Sequence, residues 1–243
     1  MIMIIGSSHD DVLYFETIMT DKQKDMLFER FPVVTGRIFN QEVLLVDQVY
    51  SNYLTSALAL HLIQKYMVIL VFSVGKATAY SHDWKLGDIA VSQLTFAADV
   101  DQTADTEARF GQIPLCPAAY PTQGDVLDYL TGSLESKTDA AYYRATFVST
   151  NVAFTSQSQL VEYDVDGKIF GREERVVLDS TLGGVAVAAA LSQIPFIGVK
   201  VIARFLDKPY TVNEYAAALT KYNDIGKAIV TTIGDIGRTD IMG

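Results

Sequence analysis

The sequence predicts an α/β protein in which a mixed, mostly parallel sheet is covered by helices on both faces. Three observations carry that expectation. Short apolar, β-branched runs alternate with longer stretches of helical periodicity. The 243 residues are 49% hydrophobic and 20% charged, which supplies enough apolar surface to offset the conformational entropy of folding. No Pro/Ser/Gly-rich or single-charge stretch offers a linker, so residues 1–243 are expected to form one domain.

Taken in order, the opening Met-Ile-Met-Ile-Ile-Gly lacks a basic leader and its apolar run is too short for a signal peptide, so it reads as a strand over 2–6. A helix is expected over 10–30. Strands over 33–39 and 42–49 flank Phe39-Asn40, which reads as the turn of an antiparallel hairpin and makes the sheet mixed. Further strands are expected over 68–74, 88–95, 144–149, 176–179 and 196–203, and helices over 53–65, 124–135, 182–193 and 212–233. The uncharged segment 180–199 is long enough to cross a bilayer, which takes about 20 apolar residues. Gly183-Gly184, Ser192-Gln193 and Pro195 instead divide it into a small-residue helix and a buried strand.

Charge and cysteine content exclude several functions. With 19 Lys+Arg against 29 Asp+Glu, the net charge is −10. No basic cluster exists to neutralise phosphate backbones, so neither nucleic acid nor an anionic membrane is an expected partner. Cys116 is the only cysteine and has no companion at metal-ligand spacing, which fits a reducing cytoplasm. The three histidines form no metal set, and no metal or cofactor is implied.

In open α/β sheets, ligands sit beyond the carboxyl ends of the strands. The residues following the predicted strands are Ser7 to Asp11, Asp47-Gln48, Gly75 to Thr78, Asp99 and Asp101, Thr150-Asn151, Asp179 to Thr181, and Ala203-Arg204. Carboxylates and cations are both represented. No dinucleotide fingerprint, phosphate loop, nucleophile elbow or metalloprotease pattern occurs.

Lys85-Leu86-Gly87-Asp88-Ile89-Ala90-Val91-Ser92, followed by Asp99-Val100-Asp101-Gln102-Thr103-Ala104 and by Phe110-Gly111-Gln112-Ile113-Pro114-Leu115-Cys116-Pro117, resembles the nucleoside phosphorylase superfamily. Within it, the similarity is to the methylthioadenosine/S-adenosylhomocysteine nucleosidases. The opening Ile-Ile-Gly, Thr35-Gly36 before a strand and Pro195-Phe196 before the last core strand extend the resemblance over essentially the whole chain. It implies a three-layer αβα sandwich of nucleoside phosphorylase type, without cofactor. It also implies a homodimer in which the segment from Asp101 to Pro114 closes the neighbour's pocket. The implied chemistry is cleavage of a purine N-glycosidic bond by water or by phosphate.

That chemistry asks for a base to position water, an acid on the ribose hydroxyls and an acid to protonate the leaving purine. By resemblance the water-activating position is Asp11, one methylene shorter than the usual Glu. As a plain first-turn residue, Asp11 equally suits the dipole of its helix. The acid-Met-acid of the family corresponds to Asp179, Ser180 and Thr181, so Thr181 replaces the second acid. The purine-protonating Asp corresponds to Arg204, and a guanidinium keeps its proton at neutral pH. Asp207, three residues on, is the candidate replacement.

Lys76-Ala77, in a turn where the family shows a small glycine-rich run, and Lys200, where an Arg is common, would bring cations to the pocket beside Arg204. Such a pocket favours an anionic ligand; alternatively the cations pair with Asp11, Asp99 or Asp179 in an ion-pair network. Phe154 is the candidate for base stacking, Tyr210 for a lid aromatic, and Tyr50 for bulk intruding on the pocket. His9 is placed to assist water activation. The readings that follow are a purine nucleoside hydrolase of altered activity, a non-catalytic nucleotide- or anion-binding homologue, and a phosphate-dependent phosphorylase.

Overall fold

The structure, a computed structural model, describes residues 1–80, 83–163, 175–208 and 211–236. His82 and Tyr210 lie outside them. The element order is β1 (Ile2–Gly6), α1 (His9–Ile18), β2 (Thr20–Leu27), β3 (Phe31–Ile38), β4 (Gln41–Val46), α2 (Asn52–Tyr66), β5 (Leu70–Ala79), β6 (Ile89–Ala97), β7 (Tyr120–Pro121), α3 (Gly124–Lys137), β8 (Tyr142–Ser149), α4 (Gln157–Tyr163), β9 (Val176–Asp179), α5 (Leu182–Ser192), β10 (Phe196–Phe205), α6 (Val212–Leu219) and α7 (Tyr222–Ile236).

Among the described residues ten strands form one sheet in the order β10-β6-β8-β9-β5-β1-β4-β3-β2, with β7 added to β6. The sheet is mixed, as expected: β1 runs parallel to β4 and β5, and β2, β3 and β4 form an antiparallel meander. Since β10 also pairs with β5, the ladder β5-β10-β6-β8-β9 returns to β5 and closes on itself.

Alternation along the strands sorts the core into two layers, because successive side chains leave opposite faces. Ile2, Ile4, Val43, Leu45, Leu70 and Phe72 pack with residues of α1, α3 and α7. Met3, Ile5, Leu44, Val46 and Val71 pack with α2 and α5 on the other face. This is the three-layer αβα sandwich. The small residues of α5 permit its close approach to α2: a Cβ at Gly184 would lie 2.3 Å from the Asn52 carbonyl oxygen. The uncharged segment 180–199 is therefore α5 and the start of β10, and no described helix is long and apolar enough to cross a membrane.

Three expectations need correction. The helix over 10–30 stops at Ile18, and Thr20–Leu27 is an edge strand paired with β3. All but Leu27 of its residues are exposed, so no apolar alternation marked it, and pairing with β3 overrides local helical preference. The helix over 212–233 is broken at Thr220-Lys221 into α6 and α7. Lys76, Ala77 and Thr78 lie in a strand, since β5 continues to Ala79.

That continuation positions the site. On one side β5 pairs with β1 from Leu70 to Val74 and then with β9 at Thr78 and Ala79, in the opposite direction. The sheet forks at Gly75, Lys76 and Ala77, and the crevice opens at this change of neighbour.

Candidate active site

A cleft of about 390 Å³ lies at the fork. Lys76, Ala77 and Thr78 from β5 form one wall, Asp179 and Ser180 from the end of β9 another, and Arg204 of β10, Phe154 and Tyr215 complete it.

Asp11 is the third residue of α1 and is 2% exposed. Its Oδ2 accepts hydrogen bonds from Ser7 N (2.9 Å), Ser7 Oγ (2.9 Å) and Ser8 N (2.8 Å), so the turn after β1 fixes the carboxylate. Its Oδ1 accepts no hydrogen bond and lies 3.9 Å from Lys76 Nζ. Lys76 donates to the Tyr215 hydroxyl and also sits over that ring, 4.8 Å from its centroid. Burial alone would lower the pKa of the Lys76 ammonium. The Tyr215 hydrogen bond and the charge of Asp11 outweigh burial and hold the pKa above its ordinary value. Tyr222 of α7 closes the back of this corner. Burial, and then the Asp11 charge, push its phenol far above the usual range.

The second carboxylate, Asp179, has a side chain 1% exposed. Its Oδ2 accepts from Thr181 N (3.1 Å), Thr181 Oγ1 (3.1 Å) and Leu182 N (2.8 Å), which caps α5; its Oδ1 has no partner. Ser149 Oγ and Asn52 Oδ1 accept from the next two helix amides, Gly183 and Gly184. The amino end of α5 is thus satisfied by protein groups. Lys200, 1% exposed, donates to Val74 O (3.1 Å) and Thr181 Oγ1 (3.0 Å), with Asp179 Oδ2 at 3.7 Å. Burial lowers the Lys200 pKa more than Asp179 and Asp11 raise it. A Cβ on Gly75 would lie 3.1 Å from Asp11 Oδ2 and 3.5 Å from Lys200 Nζ, so this glycine lets the two networks meet.

Arg204 is exposed and donates from Nε to Thr78 Oγ1 at 2.7 Å. Phe154, 4% exposed, both lines the cleft and packs with Val148, Leu178 and Leu206. Asn151 is held by Asp99 Oδ2, to which its N and Nδ2 donate at 2.9 and 2.7 Å.

The fold therefore gathers Asp11, Lys76, Ala77, Phe154, Asp179, Ser180, Thr181, Lys200 and Arg204 around one crevice. Asp11, Thr181 and Lys200 form its floor, beneath the lining residues. Other candidates lie elsewhere. Asp207 is exposed and accepts from Gln157 N (3.0 Å), capping α4, and it does not line the cleft. Asp101 is exposed and closes a local turn through Thr103 N (3.1 Å) and Oγ1 (2.7 Å), and Pro114 is also exposed. His9 turns to Asp47 (2.8 Å), away from the cleft, and Tyr50 is exposed outside it. Sequence reasoning missed Tyr215 and Tyr222. Their spacing of seven is the repeat of one helical face, although the chain breaks between them.

Residues 2–233 match the family model of the Phosphorylase superfamily, and the chain belongs to that family. Its relatives at the level of particular proteins are 5'-methylthioadenosine/S-adenosylhomocysteine nucleosidases. The one from Bacillus velezensis is 21% identical over 210 residues, covering 86% of this chain and 88% of that one. The one from Staphylococcus carnosus is 27% identical over 137 residues, 56% of this chain and 59% of that one. The fold is similar to that of the Neisseria meningitidis nucleosidase solved with methylthio-immucillin-A, with a TM-score of 0.84 at 17% identity, covering 96% and 98% of the two chains.

Proposed function

We propose that this protein hydrolyses the N-glycosidic bond of purine nucleosides, in the manner of the methylthioadenosine/S-adenosylhomocysteine nucleosidases. The observation that carries the reading is Asp11: a buried carboxylate with one oxygen fixed by Ser7 and Ser8 and the other facing Lys76 without a hydrogen bond, at the fork of the sheet. In this reading Asp11 Oδ1 takes a proton from the water that attacks the anomeric carbon. The carbon–nitrogen bond breaks with its electron pair going to the purine. Asp179 Oδ1 accepts a hydrogen bond from a ribose hydroxyl, because the Thr181 hydroxyl is committed to Asp179 and Lys200. The purine stacks on Phe154. Arg204 stabilises the departing base by charge and hydrogen bonding while the base takes its proton from solvent. A positioned acid contributes about 10²- to 10⁴-fold, so turnover is expected to be slower than where a carboxylic acid serves the base.

A second reading has a specific observation behind it. The Lys76 cation, strengthened by Tyr215 and set beside Asp11, suits a phosphate nucleophile in place of water. Incubating the purified chain with methylthioadenosine, S-adenosylhomocysteine, adenosine and inosine, with and without phosphate, and quantifying free base by chromatography separates the readings. Base released without phosphate supports hydrolysis. Release only with phosphate transfers the attack to an anion at Lys76. Ligand-dependent stabilisation without any release makes the protein a binding homologue.

The same proposal places the chain as a single-domain homodimer in the cytoplasm. Asp101 and Pro114 are exposed and the Leu115 side chain is fully so, as suits a segment that covers a partner's cleft. Light scattering on the purified chain tests the dimer.

A further inference from the structure

A second cavity, of about 270 Å³, lies between α1 and the meander of β2, β3 and β4. It shares no lining residue with the cleft. His9 and Asp11 are two positions apart on α1, about 200° around the helix, so the same turn serves both hollows from opposite sides.

The inner wall is apolar, built from Val12, Val34 and Leu45, which are 2%, 8% and 1% exposed. Its polar groups form a chain: Asp47 Oδ2 to His9 Nδ1 at 2.8 Å, His9 Nε2 to Glu16 Oε2 at 3.9 Å, and Glu16 Oε1 to Lys24 Nζ at 2.7 Å. The Lys24 hydrogen bond, more than any other influence, holds the Glu16 carboxyl below its ordinary pKa. Asp47 has a side chain only 7% exposed, and its Oδ1 is buried without a hydrogen-bond partner. A buried carboxylate oxygen without a donor is costly, and a ligand that brings the donor recovers that cost. Asp47, Glu16 and Asp25 put carboxylates around the hollow, whereas its lysine is already committed to Glu16.

We propose that this cavity binds a small organic ammonium compound, its charged nitrogen donating to Asp47 Oδ1 and its apolar body lying against Val12, Val34 and Leu45. An anion is rejected by the surplus of carboxylates, and a neutral molecule of the same shape lacks the charge that Asp47 meets.

Calorimetric titration of the full chain at pH 7 with n-hexylamine, 1-hexanol and hexanoate tests this. Hexylammonium should bind with a Kd near or below about 1 mM, and the alcohol and the acid at least about tenfold more weakly. Asp47→Asn should weaken hexylammonium about tenfold. Met26→Trp, at an exposed rim position, should do the same by narrowing the mouth without touching the carboxylates. Circular dichroism verifies that each variant folds; should Asp47→Asn not fold, Met26→Trp and the ligand series decide. Equal binding of alcohol and amine, no effect of either folded variant, or no amine binding up to about 10 mM overturns the proposal.

Discussion

The two ends of the cleft are built on different terms. At the inner end, the side chains of Asp11 and Asp179 are buried, each has one oxygen fixed by neighbouring backbone amides, and each faces a lysine. At the Arg204 end, an exposed guanidinium leans on the hydroxyl of Thr78. A buried charge changed alone leaves its partner uncompensated, whereas an exposed one can be replaced at little cost in stability. On the hydrolytic reading, the difference teaches that the proposed attacking side is held by the fold itself, while the proposed leaving-group side is the one that can be substituted at little cost to the fold.

The strongest challenge to that contrast is Asp11→Asn. On the hydrolytic reading it should cut base release about 1,000-fold, measured by chromatography of free purine. A loss of less than about tenfold would move the attack elsewhere. Lys200→Met comes next: with Val74 O and Thr181 Oγ1 deprived of their donor and Asp179 of the cation it faces, stability should fall by about 3 kcal/mol in urea unfolding.

The pH dependence sharpens that test. Burial sets the folded pKa of Lys200 below its ordinary 10.5. Between those two values the unfolded chain binds the extra proton, so stability rises with pH across that window. The Met variant should lose that rise. Lys76, shifted the other way, acts above 10.5, where its contribution is lost as pH passes its folded value.

At the exposed end, Arg204→Asp should leave stability nearly unchanged and raise base release about 100-fold by restoring a carboxylic acid. An unchanged rate would mean that the leaving group needs no acid here and would erase the contrast between the two ends. The smallest effect is expected from Tyr215→Phe. Losing one hydrogen bond worth about 1 kcal/mol should lower the Lys76 pKa, readable by NMR of the lysine side chain, and slow base release only a few-fold.

Elements with an apolar pattern were legible in the sequence. The runs of β1, β4, β8 and β9, the turn at Phe39-Asn40 and the small-residue α5 announce themselves through burial and local conformational preference. β5 was legible only to Val74, since Gly75-Lys76 resembles a turn when its two neighbouring strands are unknown. For the site, the strand-end rule brought out Asp11, Lys76, Thr78, Asn151, Asp179 and Arg204. The connections running from Val74 through Lys200 and Thr181 to Asp179 were hidden, because these residues come from three separate segments that only the closed ladder brings together. Asp207 is found outside the cleft for a related reason: its distance in sequence from Arg204 is short, yet it lies past the end of β10, where it caps α4.

A sheet ordinarily ends in two flanks, and either can recruit a strand from another molecule. Here the β5-β10-β6-β8-β9 ladder has consumed one flank, so among the described residues, apart from two-residue β7, the remaining open edge is β2. That edge carries Asp21, Lys22, Lys24 and Asp25, charges that discourage edge-to-edge growth. The polarity that concealed β2 from a search for apolar alternation thus guards the molecule against aggregation. Replacing Lys22 and Lys24 with valine would make the strand easier to recognise and the protein harder to keep in solution.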